Sequence, residues 1–91
     1  MDSIHLEVRG RVQGVGFRWY VVDKARELRL AGWVKNRADG NVEVAAAGEP
    51  DALARLEAAV TAGPPGARVE GVERLGTVAA DSLQSPFGIV R

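Results

Sequence analysis

The chain has 91 residues, 12 basic and 12 acidic side chains and no cysteine, which fits one small domain with a modest core. Zero formal charge, spread along the sequence, argues against a nucleic-acid binder or a binder of anionic membranes that relies on a broad basic face. The missing cysteines exclude a disulfide frame and a thiolate metal site, and no apolar run approaches the roughly 20 residues of a membrane span.

Ile4, Leu6 and Val8 alternate with His5, Glu7 and Arg9, so a half-buried strand is expected from Ile4 to Val12. His5 is the single histidine and falls on the polar side. With no second histidine or cysteine nearby, it reads as an exposed strand residue rather than a ligand or general base. Asp2, Glu7 and Arg9 also interrupt any signal-peptide pattern, and a cytoplasmic location fits.

From Phe17 the period changes. Phe17, Val21, Ala25 and Leu28 mark one face of a helix, and Gly32 is expected to close that region. The stretch Val12-Gln13-Gly14-Val15-Gly16-Phe17-Arg18 therefore joins a strand to a helix through a short glycine loop. The first N–H groups of a helix lack partners inside it and carry the positive end of its dipole. Two glycines let such a loop curl into a concave nest of donors, and Arg18 adds a planar cationic fork. Two readings stand: an anion-binding nest, or a tight turn followed by a solvated arginine. The pattern is neither a nucleotide P-loop nor a dinucleotide fingerprint. Trp19 and Tyr20 lie off the core stripe and either wall a pocket or cover the sheet edge.

Trp33 to Ala38 reads as a second strand, Asp39-Gly40 as a hairpin turn, and Asn41 to Ala45 as a third strand with Val42, Val44 and Ala46 on one face. Asp51 falls where an N-cap is expected for a second helix, whose stripe is Leu53, Leu56 and Val60. Gly63-Pro64-Pro65-Gly66 breaks it. Ala67 to Thr77 reads as a fourth strand whose alternation slips at Gly71, a sign of a bulge. Ala79 to Gln84 reads as loop, and Pro86 to Arg91 as a short edge strand.

The order β-α-β-β-α-β is the ferredoxin-like, or split βαβ, arrangement. It predicts an α+β sandwich: an antiparallel sheet with both helices on one face, the other face open, and a short C-terminal edge strand. In that topology the glycine loop and the second strand can lie side by side, which makes Asn36 a candidate partner of the loop. Asn36 reads either as an exposed hydrogen-bonding strand residue or as an amide that holds a water by donating and accepting together.

Gly10-Arg11-Val12-Gln13-Gly14-Val15-Gly16-Phe17-Arg18 closely resembles the first signature of acylphosphatases. Gly32-Trp33-Val34-Lys35-Asn36, followed by Gly40, Val42 and Gly48, resembles the second with the same spacing. The similarity spans the whole chain, which is read as one domain over residues 1-91. The resemblance implies a monomeric, metal-independent enzyme without cofactor that hydrolyses small-molecule acyl phosphates to a carboxylate and inorganic phosphate. It implies that Gln13, Gly14, Val15, Gly16, Phe17 and Arg18 hold the phosphoryl group and that Asn36 orients the attacking water. Inorganic phosphate or sulfate should then compete with substrate. The alternative is a non-catalytic ferredoxin-like module that senses a small anion. A nucleic-acid version would show aromatic residues on the central strands, where Ile4, Leu6, Val8, Val42 and Val44 are aliphatic.

Overall fold

Alternation along the strands decides what faces the helices. In β1 (Asp2–Arg11) the even residues Ile4, Leu6 and Val8 are buried, and in β3 (Val42–Gly48) Val42, Val44 and Ala46 join them. The computed structural model describes residues 2–91. Its other elements are α1 (Phe17–Glu27), β2 (Ala31–Asn36), α2 (Pro50–Ala62), β4 (Arg68–Gly76) and β5 (Gly88–Ile89). A single 3-10 turn, Ala80–Ser82, sits in the segment read as loop.

The sheet order is β4-β1-β3-β2-β5. The first four strands are antiparallel to their neighbours, as the ferredoxin-like arrangement requires. The expected edge strand is present, but β5 runs parallel to β2, so the five-stranded sheet is mixed. Both helices pack on one face. Phe17, Val21, Val22 and Ala25 of α1 meet Leu53, Leu56 and Val60 of α2 over the even residues of the sheet. Phe87, just before β5, closes the core beside α1 and is fully buried.

The expected slip in β4 is a bulge: Arg9 faces Gly71 while Gly10 faces Val69, leaving Glu70 unmatched. A second irregularity, between His5 and Leu6, pairs them with Gly76 and Arg74 and leaves Leu75 over.

Several expectations need correction. Gly32 does not end α1. The helix stops at Glu27, and the Leu30 N–H returns to the Ala25 carbonyl over 2.9 Å with Arg29 in the left-handed region at φ 59°. Gly32 lies inside β2 instead, where its φ of 140° and the nearness of the Ala45 carbonyl leave no room for a Cβ. Asp51 is not the cap of α2. Glu49 takes that position without a side-chain cap, Pro50 fills the first turn, and Asp51 pairs with Arg55 at 3.3 Å.

The far face of the sheet carries no helix, as expected, but its centre is covered by the sheet's own side chains. Glu43, Ala45 and Ala47 of β3 are buried beneath long side chains from the neighbouring strands. His5 is half-buried, pairs with Glu43 and meets the Trp33 ring edge-on at 5.9 Å between centroids. Lys35 lies over that ring at 5.4 Å, and Arg37 reaches Glu43 at 3.5 Å. Small alanines at the centre of β3 leave the hollow that these side chains fill. His5 is therefore a half-buried member of a charged network, not the exposed strand residue its parity suggested.

Candidate functional site

Strand β1 ends at Arg11, and Val12 stays buried as the chain turns. Gly14 and Gly16 both take φ 75°, the left-handed region that glycine enters without a Cβ penalty. Gly16 is the N-cap of α1, and no side chain caps the helix. The first helical bond runs from the Tyr20 N–H to the Gly16 carbonyl over 3.1 Å. The N–H groups of Phe17, Arg18 and Trp19 therefore lack acceptors inside the helix. Among the described residues, no acceptor takes the N–H groups of residues 14 to 19.

A Cβ built on Gly14 or Gly16 would meet open space. The glycines are thus required by backbone conformation and not by crowding within the protein. Gly16→Ala is expected to cost roughly 1–2 kcal/mol through the left-handed strain. A lowered urea midpoint at unchanged m-value is the readout, and a wild-type midpoint would show that the loop relaxes freely.

Asn36 arrives from the other side. In β2 it shares parity with the buried Val34, so its side chain points to the helix-bearing face. It is the last residue of the strand and pairs with Val42. It therefore emerges where the packed core gives way to the N-terminus of α1. Val12, Gly14, Gly16, Phe17, Arg18, Trp19 and Asn36 together line a pocket of about 140 Å³. The Asn36 Oδ1 is buried with no hydrogen-bond partner among the described residues. Leaving such an oxygen unpaired costs about 1–3 kcal/mol, which a structural strand position gives no reason to bear.

Arg18 is half-buried and forms no ion pair or side-chain hydrogen bond among the described residues. Arg37, Arg55 and Arg74, in contrast, all contact carboxylates. A free guanidinium beside a row of free N–H groups suits a tetrahedral anion.

The remaining expected loop residues divide. Phe17 is 1% exposed, so its ring belongs to the core and only its N–H faces the site. Val15 packs against the core and does not line the pocket. Gln13 is also absent from the lining, because its side chain is committed elsewhere. Its Nε2 donates to the carbonyls of Arg37 at 2.8 Å and Asn41 at 2.9 Å. Gln13 therefore staples the glycine loop to the β2–β3 turn, one residue beyond Asn36. That turn is itself braced. The Asn41 N–H donates to Asp39 over 3.0 Å and, with Arg37, holds the Asp39 carboxyl below its usual range. The Asn41 Nδ2 donates to Glu7 over 2.7 Å.

The two aromatics after Arg18 separate as well. Trp19 is 65% exposed and walls the pocket. Tyr20 turns away, packs on Phe17 and donates its hydroxyl to the Ala59 carbonyl of α2 over 2.9 Å. Among the described residues no group of three or more His, Asp or Glu side chains could hold a metal ion.

The family model described as acylphosphatase matches residues 4–87. An acylphosphatase of Koribacter versatilis is 56% identical over 66 residues, which cover 72% of this chain and 60% of that protein. The crystal structure of the Bacillus subtilis acylphosphatase superposes with a TM-score of 0.92 at 41% identity, covering 100% of both chains. That of a Coxiella burnetii acylphosphatase gives 0.84 at 42% identity, covering 98% of this chain and 92% of the other. With a family model spanning nearly all of the sequence and the same fold throughout, this chain belongs to the acylphosphatase family.

Proposed function

We propose that this protein hydrolyses acyl phosphates, R–CO–O–PO₃, to a carboxylate and inorganic phosphate. The observation that carries the reading is the single pocket that brings Gly14, Gly16, Arg18 and Asn36 together. The N–H groups of the loop and of the first turn of α1 surround the phosphoryl oxygens, and Arg18 adds a two-pronged cationic contact. Asn36 orients a water for in-line attack on phosphorus, its unpartnered Oδ1 accepting one of the water's hydrogens. The phosphorus–oxygen bond to the acyl group breaks, and the carboxylate leaves with the electron pair.

Little else is required of the protein. The leaving carboxylate is a weak base, and a loose phosphoryl-transfer transition state mainly needs positioning and charge stabilisation. No side chain lining the pocket is a plausible base at neutral pH, and His5 lies on the opposite face of the sheet, paired with Glu43. The water's proton passes to a phosphoryl oxygen of the substrate. The enzyme acts as a cytoplasmic monomer in this reading. A non-catalytic anion sensor would share the donor nest but gives no reason for the buried, unpaired Asn36 oxygen.

Benzoyl phosphate hydrolysis tests the proposal. Phosphate release is expected at an unchanged rate in EDTA, since the residues of the pocket offer no carboxylate, imidazole or thiolate to a metal. Activity lost on chelation and restored by Mg²⁺ or Zn²⁺ would contradict this mechanism. Inorganic phosphate and sulfate are expected to inhibit competitively, because the site recognises a tetrahedral anion. Purely noncompetitive inhibition, or none at millimolar phosphate, would remove the anion from this pocket.

A further inference from the structure

Beside the Arg18–Asn36 pocket lies a wider groove of about 450 Å³, and the two share Arg18 and Trp19. Val22 and Ile89 supply its apolar wall together with the Trp19 ring. Its charged side chains are Arg18, Arg26 and Arg91, with no acidic side chain among them. That is a local excess of cations in a chain with equal numbers of acids and bases. Arg26 is held in place: its Nε donates to the Phe87 carbonyl over 2.9 Å, which leaves the outer nitrogens of the fork for another acceptor. Neither Arg26 nor Arg91 contacts a carboxylate among the described residues. Among the described residues Trp19 and Leu75 are the exposed large hydrophobics, and Trp19 is the more open at 65%.

Solvated surface arginines are the plain alternative, but position argues against it. A phosphoryl group seated on the glycine loop leaves its acyl group to exit the pocket on one side or another. The opening beyond Asn36 is lined by Asp39 and Glu43 as well as Lys35, Arg37 and Arg91, so acids offset two of its three cations, and Arg91 borders both openings. The opening past Trp19 has no acidic side chain and combines a flat aromatic surface with cations.

We infer that the Trp19 groove is the acyl subsite and that it selects acyl phosphates whose acyl group carries a second anionic group. This rests on the acyl phosphate hydrolysis proposed above. The phosphoryl group is held at Gly14–Arg18, the acyl body lies along Trp19, Val22 and Ile89, and a terminal carboxylate meets Arg26 and Arg91.

The test compares benzoyl phosphate, 4-carboxybenzoyl phosphate and acetyl phosphate at low ionic strength. Wild-type kcat/KM is expected to favour the carboxylated substrate over benzoyl phosphate by about fivefold, and salt should erode the preference. Arg26→Gln and Arg91→Gln should each lower that ratio about two- to threefold, with the phosphate inhibition constant moving less than about twofold. Arg26→Lys keeps the charge and checks the fold, and should retain part of the preference. Trp19→Ala should cut kcat/KM for both aryl substrates relative to acetyl phosphate by about tenfold. If the carboxylated-to-neutral ratio is the same in wild type, Arg26→Gln and Arg91→Gln, the subsite is wrong while hydrolysis itself stands. If none of the three substrates is hydrolysed, the subsite falls together with the functional reading.

Discussion

Arg18→Gln is expected to lower kcat/KM for benzoyl phosphate several hundredfold, the scale of about 3–4 kcal/mol lost with one preorganised donor to a developing charge. The loss should divide between binding and turnover. In the proposed role the guanidinium would meet the phosphoryl oxygens before transfer as well as during it, so the phosphate inhibition constant should rise by about tenfold or more. Because Arg18 forms no ion pair or side-chain hydrogen bond among the described residues, removing it breaks no protein contact of that kind, and the thermal midpoint should stay near that of the wild type. Arg18→Lys should recover little, since an ammonium is a point charge and cannot make two parallel contacts from one plane. Steady-state kinetics with phosphate as inhibitor measure both halves. A glutamine variant with wild-type phosphate affinity would mean that the backbone nest binds the anion alone.

Asn36→Ala should separate activity from stability. If the side chain positions the water, kcat falls by about a hundredfold or more, the usual consequence of a misplaced reactant. KM and the phosphate inhibition constant should then change less than about twofold, because in that role Asn36 would face the water and not the anion. Stability should hold or rise by up to about 1 kcal/mol, since the alanine removes a buried oxygen that has no partner. A structural asparagine predicts the reverse pattern, with near-normal kcat and a lowered urea midpoint. Asn36→Asp keeps the size and replaces the amide by a carboxylate. It should lose turnover and also weaken phosphate binding, through repulsion between like charges.

The elements were legible in the sequence because each rests on a local rule. Period two gave β1 and β3, period 3.6 from Phe17 gave α1, and Gly14 with Gly16 marked the loop whose left-handed conformation the structure shows. Asn36 stood out in the sequence as a polar amide on a strand, and the ferredoxin-like topology made the glycine loop its candidate neighbour; the two line one pocket. What escaped depends on contacts between distant segments. Nothing local indicates that the Gln13 amide reaches the carbonyls of Arg37 and Asn41. His5 looked exposed because alternation reports a face and not what covers it; the cover is Trp33 and Glu43, brought there by strand pairing. Gly32 was read as a helix stop although Arg29 makes that turn. The close approach of β2 to the Ala45 carbonyl that requires a glycine at position 32 has no local signature. The parallel pairing of β5 with β2 joins segments far apart in the chain, which a two-residue strand cannot announce.

In the proposed complex the phosphoryl group sits on the N–H groups between Gly14 and Trp19, against Arg18. Titrating ¹⁵N-labelled protein with inorganic phosphate addresses it directly. The amide resonances of residues 14 to 19 and the Arg18 side chain should shift together, with one dissociation constant equal to the competitive inhibition constant. Amides on the far face, such as those of Glu43 and Ala45, should remain still. Phosphate shifts confined to other surfaces, or a loop that stays silent at concentrations that inhibit hydrolysis, would contradict the account.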